Sequence, residues 1–110
     1  MSLESKLKQL CENIDGAIAA FFCGYDGIMI GSNVARTTSV DVDFLAANLA
    51  SVIHNINKNH EIVDVIFTLK ESVVAVKTFP EGFVGIVLSK DGNLGRCKLE
   101  LNKVGDLLGT

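Results

Sequence analysis

Few side chains in this sequence of 110 residues have the chemistry of a catalytic group, and they do not converge. The two histidines, His54 and His60, fall in or just beyond one predicted helix rather than beside a nucleophile. The sequence has no Gly-x-Ser-x-Gly elbow and no glycine-rich loop of the kind that cradles phosphate. We therefore expect no enzyme active site, and we interpret both histidines as partly exposed helix residues.

The three cysteines, Cys11, Cys23 and Cys97, are an odd number and lie far apart in the sequence. They form no Cys-x-x-Cys pair and have no histidine at metal-ligand spacing. We interpret them as buried apolar thiols, and we expect neither a metal nor another cofactor. The first residues lack the basic and apolar regions of a secretory signal, so a reducing, cytoplasmic location is expected.

Charged residues near the second predicted helix give two further candidates. Asp41 and Asp43 form an acidic pair, but the helix dipole favours carboxylates in a first turn without any catalytic role. Arg36, in the preceding loop, is either a solvated arginine or a side chain that reaches a partner's phosphate site as an arginine finger. The net charge is -3 and no basic stripe occurs, which argues against a nucleic-acid partner.

The composition is that of a well-packed globule, with 48% hydrophobic and 21% charged residues. The length fits a single domain over residues 1–110. The longest apolar run, at 17–23, is far shorter than the roughly 20 residues that span a bilayer. We therefore expect no membrane insertion.

The hydrophobic periodicity predicts an α+β fold with eight elements in the order αββαβββα. Apolar residues at three- and four-residue steps indicate three helices, and runs rich in Val, Ile, Phe and Thr between turns indicate five strands. In chain order the predicted ranges are 3–13, 17–23, 28–30, 42–60, 62–69, 72–79, 83–89 and 94–108. Thr38, with Asp41 three residues later, indicates a capping box at the start of the second helix.

The second predicted helix carries an apolar stripe. Its residues are Val42, Leu45, Leu49, Val52, Ile53 and Ile56. The same helix carries small residues at Ala46, Ala47, Ala50 and Ser51. These small residues either let another helix approach closely or fit the helix to its own sheet, and the sequence leaves both interpretations open.

The distribution of apolar residues between the two faces of each strand predicts the strand order. The first and fifth strands are apolar on both faces, which is typical of central strands that are covered on both sides. Hairpin connections then give a five-stranded antiparallel sheet of order 2-1-5-4-3 with helices on both faces. The third strand is an edge that carries Val63, Val65 and Phe67 on one face and has no proline, so we expect the same strand of a second copy to cover it.

Three segments stand out beside this element order: Phe-Cys-Gly-Tyr-Asp-Gly-Ile-Met-Ile-Gly-Ser at 22–32, Leu-Ala-Ala-Asn-Leu-Ala at 45–50 and Val-Ile-Phe-Thr-Leu-Lys at 65–70. With the αββαβββα order they resemble the Roadblock domain of dynein light chains and of bacterial and archaeal regulators of small GTPases. The resemblance covers nearly the whole chain. It implies a non-catalytic homodimer, or a heterodimer with a related Roadblock chain, formed through the second helix and the third strand. It also implies that the protein binds a Ras-like GTPase or serves as an adaptor.

These arguments give two sets of candidate residues. The expected dimer-interface residues are Ala46, Ala47, Ala50, Ile53, His54, Val63, Val65 and Phe67. The expected partner-binding residues are Asn48, Asn55, Lys58, Asn59 and Arg36.

Two alternatives stay open. One is a structural adaptor in a motor or signalling complex without GTPase regulation. The other is a small-molecule sensor of profilin-like or PAS-like fold, although the first and fifth strands offer only apolar side chains and glycine to a ligand pocket.

Overall fold

The computed structural model describes residues 2–36, 40–57 and 64–107, and its element order is the predicted αββαβββα. The elements are α1 Leu3–Glu12, β1 Ala17–Cys23, β2 Met29–Val34, α2 Val42–Asn57, β3 Asp64–Thr68, β4 Ser72–Thr78, β5 Phe83–Ser89 and α3 Leu94–Leu107. The strands form one antiparallel sheet in the order β2-β1-β5-β4-β3, which confirms the predicted topology.

The helices cover the two faces of this sheet unequally. α1 and α3 pack on one face, where Leu7, Leu10 and Leu101 join a core cluster with β-strand residues. α2 packs alone on the other face, where Leu49 and Ile53 meet a second cluster. The central strands β1 and β5 are buried against both clusters, which explains why their sequences are apolar at both parities.

The first hairpin has the predicted turn but a longer second strand. Gly27 has φ 86°, a left-handed conformation that glycine adopts without strain, and the Asp26 side chain accepts a hydrogen bond from the Ile28 amide at 3.0 Å. The predicted range 28–30 for the second strand is wrong, because β2 runs from Met29 to Val34. As an edge strand, β2 keeps polar residues such as Ser32 partly exposed, so it lacks a strong apolar signal.

The start of α2 also differs from the prediction. The helix begins at Val42, and Asp41 is its N-cap, because the Asp41 carboxylate accepts from the Phe44 amide at 3.1 Å. The capping box with Asp41 as its third helical residue is therefore wrong, and Thr38 lies outside the described residues. The predicted end of this helix near His60 and the predicted start of the third strand also lie outside them.

The remaining ends agree closely with the predicted ranges. β3 ends at Thr68 rather than Leu69, whose amide instead donates to the Ser72 carbonyl at 2.8 Å and closes the turn to β4. α1 ends at Glu12 with Asn13 as its C-cap. α3 is described as far as Leu107, and the predicted last residue of this helix lies beyond.

Replacing Gly85 by alanine is expected to destabilise the protein. A Cβ atom on Gly85 would overlap the buried ring of Phe21, which packs edge-to-face on Phe83 at 6.1 Å between ring centroids. Because this ring has no free space to enter, the loss should be about 1–3 kcal/mol. Urea unfolding at a fixed protein concentration measures it.

Gly95→Ala is the control, because Gly95 is exposed in the first turn of α3 and an added Cβ meets nothing closer than 3.5 Å. This variant should be neutral or more stable by up to about 1 kcal/mol. Equal destabilisation by both substitutions would contradict the close packing of Phe21 on Gly85.

Candidate functional site: the outer surface of the second helix

α2 presents three outer surfaces, because the sheet covers only one side of it. At 100° per residue, Phe44, Asn48 and Asn55 point away from the sheet, and we call them the crest. Asp43, Ala47, Ser51 and His54 form the hairpin-side flank, beside the turn between β1 and β2. Leu45, Val52 and Ile56 form the opposite flank, which we call the β3-side flank.

The small residues of α2 divide between the core and the surface. Ala46, Ala50 and Ile53, which were expected at a dimer interface, are each 1% exposed and pack on the chain's own sheet. Ala47 and Ser51 are exposed. Ala46 and Ala50 therefore fit the helix to its own sheet. A close contact with another helix stays possible only for Ala47 and Ser51.

The crest carries a large aromatic residue that the sequence argument missed. Phe44 is 69% exposed, and its carbonyl accepts a hydrogen bond from the Asn48 side chain at 2.8 Å. Asn48 and Asn55, both expected to bind a partner, are exposed beside it. The signal was in the sequence, since Phe44 lies one helical turn before Asn48 and opposite the buried stripe.

Arg36, another expected partner-binding residue, lies outside α2 and does not belong to the crest. Arg36 is exposed, and its amide donates to the Ile18 carbonyl near the start of β1. Among the described residues no salt bridge joins its side chain to α2. Lys58 and Asn59 lie outside the described residues.

On the β3-side flank, Leu45 packs partly against the core, whereas the other two residues are apolar and exposed. Val52 is 42% exposed and Ile56 is 46% exposed. On the same face of the sheet, Val65 and Phe67 of β3 are only half-buried against the core. The predicted stripe was wider than the face that one helix can bury, so its outer members remain at the surface.

The edge of β3 has free backbone groups in the described part of the chain. In an antiparallel pair, every second residue of an edge strand bonds its backbone to the neighbouring strand. Because Leu69 bonds to Ser72, Val65 and Phe67 also bond to β4, whereas Ile66 and Thr68 direct their N–H and C=O groups outward. Ile66 is also 41% exposed. Asp64, at the start of the strand, lies 3.7 Å from the Lys77 ammonium. Val63, also expected at the interface, lies outside the described residues.

The hairpin-side flank borders a cleft of about 250 Å³ between α2 and the turn that joins β1 to β2. It is lined by Tyr25, Asp26, Gly27, Ala47, Ala50, Ser51 and His54. The Tyr25 hydroxyl donates to the Phe79 carbonyl at 2.6 Å, which ties this turn to the turn between β4 and β5. One wall of the cleft is therefore held by a contact between two hairpins.

The thiols lie beneath the surface and are poorly suited to nucleophilic chemistry. All three are free and buried, as the sequence predicted. Burial raises the pKa of Cys97 to about 11, with a further increase from the neighbouring Cys11. Burial is also the main reason why the pKa values of Cys11 and Cys23 are raised. Each thiol is therefore held in its protonated, unreactive form.

Two other kinds of site are absent from the described residues. No three of their histidines, cysteines and acidic residues are grouped closely enough to hold a metal ion. None of their helices combines the length and the apolar content that a membrane span requires.

The chain was compared with known proteins at the level of sequence and of structure. No family model and no curated protein sequence matches it. MglC from Myxococcus xanthus is 21% identical, with TM-score 0.75, over 98% of this chain and 97% of that one. The gliding protein MglB from Thermus thermophilus is 16% identical, with TM-score 0.83, over 94% and 83%. An MglB with a tetrameric arrangement is 17% identical, with TM-score 0.83, over 94% and 82%.

A Roadblock/LC7 domain from Streptomyces avermitilis matches along the whole of both chains, at 13% identity and TM-score 0.72. The chain therefore has the Roadblock/LC7 fold. This confirms, at the level of the fold, the resemblance that the sequence carries.

The thiols provide a test of the burial described here. At pH 8 a thiol of pKa about 11 is ionised in only about one molecule in a thousand, so native Cys97 should react with N-ethylmaleimide at least about 100-fold more slowly than in the unfolded chain. Labelling should accelerate as the pH rises towards 11, because the thiolate is the reactive species. Mass spectrometry of peptides from native and denatured samples gives both rates, and equal rates at pH 8 would contradict the burial.

Proposed function

We propose that this chain is a single Roadblock domain that acts as a non-catalytic, dimeric scaffold and regulates a Ras-like small GTPase in the cytoplasm. The observation that carries the proposal is that α2 exposes the apolar Val52 and Ile56 over the face of the sheet on which Val65 and Phe67 are half-buried, and that the outer edge of β3 is open in the described residues. The Roadblock fold supports it, since the sequence resemblance implies dimers and GTPase partners.

Pairing of β3 with the same strand of a second copy would use the outward backbone groups of Ile66 and Thr68. The twofold axis of such a dimer joins two five-stranded sheets into one and places the two α2 helices side by side. Val52 and Ile56 then contact their counterparts across the axis. Val52 and Ile56 are thus the interface residues of α2 in this arrangement. Ala46, Ala50 and Ile53, which were expected there, are buried in the core of their own chain.

The hairpin-side residues Ala47 and His54 lie on the opposite flank of α2 and stay outside this proposed twofold contact. The half-buried Val65 and Phe67 remain within it, because β3 itself forms the axis. Self-association is known for a protein of the same fold, since one MglB has a tetrameric arrangement.

The crest is the surface that we assign to the GTPase. In the proposed dimer both crests lie on the same face of the joined sheet, so each partner would meet two copies of Phe44 beside side-chain amides. An exposed aromatic ring bordered by hydrogen-bonding groups is the usual composition of an interface anchor. The scaffold would alter nucleotide turnover by arranging the GTPase's own residues, which is the role that the Roadblock resemblance implies.

An adaptor without GTPase regulation would use the same dimer and the same crest, so nucleotide dependence is the property that distinguishes it. A small-molecule sensor is less favoured, because the Phe21 ring fills the space over Gly85 between the central strands and α2. The fold by itself is compatible with all three functions.

Ile66→Pro should weaken the proposed dimer, because proline removes the outward N–H of Ile66 without touching a hydrogen bond to β4. Ile66→Ala is the matched control, since it removes the side chain and keeps the N–H. We expect the dimer dissociation constant to rise at least about tenfold more for proline than for alanine. Sedimentation equilibrium measures it, with circular dichroism to verify folding. A wild-type monomer, or equal dissociation constants for both variants, would contradict pairing through β3.

Phe44→Ala should reduce GTPase binding by about 2 kcal/mol, or about 30-fold, without changing the dimer. Leu99→Ala is the control, because Leu99 is a comparably apolar residue, 46% exposed on α3 on the other face of the sheet. Calorimetric titration with Ras-like GTPases of the same organism, loaded with GDP or with a non-hydrolysable GTP analogue, gives the affinities. Indifference to the nucleotide would favour the adaptor, and an unchanged affinity for the Phe44 variant would contradict the assigned surface.

A further inference from the structure

We propose that the cleft between α2 and the β1–β2 turn docks a basic segment of a protein partner, with one arginine side chain entering the cleft. The acidic cleft, as we name it, comprises the cleft residues together with Asp43 and Glu81 at its rim. This proposal goes beyond the GTPase scaffold, because it uses the hairpin-side flank and needs neither the dimer nor the crest.

The size and shape of the cleft suit one long side chain. Its volume of about 250 Å³ is below the roughly 300 Å³ at which pockets for whole small-molecule ligands begin. Gly27, Ala47 and Ser51 keep it open, since none of them has a side chain larger than a hydroxymethyl group. The methyl group of Ala47 can contact the apolar stem of a long cationic side chain.

Three carboxylates belong to this end of the molecule, and one of them lines the cleft. Asp26 lines it directly, and Asp43 lies one helical turn before Ala47 on the same flank. Burial is the main cause of the raised pKa of Cys23, and the negative charges of Asp26 and Asp43 raise it further. Burial likewise raises the pKa of Tyr25, with a smaller increase from Glu81. The three carboxylates therefore cluster at the hairpin end of the sheet.

Among the described residues no lysine or arginine lies in the segments around this cluster, and the basic side chain that lines the cleft is the imidazole of His54. The segments 23–35, 40–57 and 78–89, which build this end of the molecule on the α2 side, contain no lysine or arginine. The salt bridges of the described residues join Lys77 to Asp64 and Arg96 to Glu100, away from the cleft. The excess of carboxylates over lysine and arginine at this end favours a cationic partner and disfavours the phosphate groups of a nucleic acid.

The cleft is also held in a fixed shape, which reduces the entropy cost of binding. The carboxylate of Asp26 accepts from the Ile28 amide, and the Tyr25 hydroxyl is anchored on the Phe79 carbonyl. The second Asp26 oxygen stays available to a ligand. Arginine is the favoured cation, because its planar guanidinium can donate to two carboxylate oxygens at once.

The test is a titration of ¹⁵N-labelled protein with the peptide acetyl-Arg-Gly-Arg-Gly-Arg-amide, followed by NMR. We expect the largest amide shifts at Gly27, Ala47 and Ser51, and weaker binding as salt is added. A peptide with glutamate in place of arginine should cause no shifts at these residues. Shifts spread evenly over the protein surface, or centred on another region, would overturn the proposal.

Two variants distinguish binding of the peptide in the cleft from a general attraction of the peptide to the negatively charged protein. The triple variant Asp26→Asn, Asp43→Asn, Glu81→Gln removes the charges and keeps an oxygen acceptor at position 26 for the Ile28 amide. Its affinity for the arginine peptide should fall at least about tenfold, as expected for three charge contacts at an exposed site. Ala47→Leu fills the cleft without a change of charge and should give a loss of similar size.

The control is Glu4→Gln, Glu12→Gln, Glu71→Gln, which changes the net charge equally at exposed positions away from the cleft. It should keep the wild-type affinity within about twofold. An equal loss in the control, or an unchanged affinity in Ala47→Leu, would show that the peptide responds to net charge alone and would overturn the proposal. Sedimentation of the same variants reports the dimer separately, so failure of one proposal can be distinguished from failure of the other.

Discussion

The antiparallel pairing of β1 with β5 is the contact on which the rest of the structure depends. It joins residues distant in the sequence, with Phe21 opposite Gly85 and Cys23 opposite Phe83. Because each of these strands also starts or ends a hairpin, their pairing fixes the order of all five strands. It also brings the β1–β2 turn and the β4–β5 turn to the same end of the sheet, where the Tyr25 hydroxyl bonds to Phe79.

The unequal covering of the two faces follows from simple dimensions. Neighbouring strands are about 4.8 Å apart, so five strands form a surface about 20 Å wide, whereas one helix with its side chains is about 10 Å across. Two helices, α1 and α3, suffice for one face, but α2 alone cannot cover the other. The uncovered part lies towards β3, which is why Val52 and Ile56 remain exposed beside half-buried strand residues.

The surfaces of α2 differ in chemistry although they belong to one helix. The β3-side flank is apolar, the crest combines Phe44 with asparagine amides, and the hairpin-side flank is acidic and small enough in side-chain volume to leave a cleft. The proposed dimer contact, the proposed GTPase contact and the proposed basic partner each use a different one of these surfaces. The Roadblock fold makes this possible by leaving α2 alone on its face of the sheet.

The sequence by itself determined the order of the helices and strands, the order of the strands in the sheet and the burial of the thiols, because each follows from local periodicity, turn residues and apolar content. It also indicated the open edge at β3 and the exposed asparagines. It could not decide which members of the apolar stripe of α2 are buried, since that depends on how much of the helix the sheet reaches. Ile53 is buried and Val52 is not, although they are adjacent and both apolar. The acidic cleft likewise exists only in the tertiary structure, because its walls come from the β1–β2 turn, with Tyr25 and Asp26, and from α2, with Ala47 and His54, which are distant in the chain.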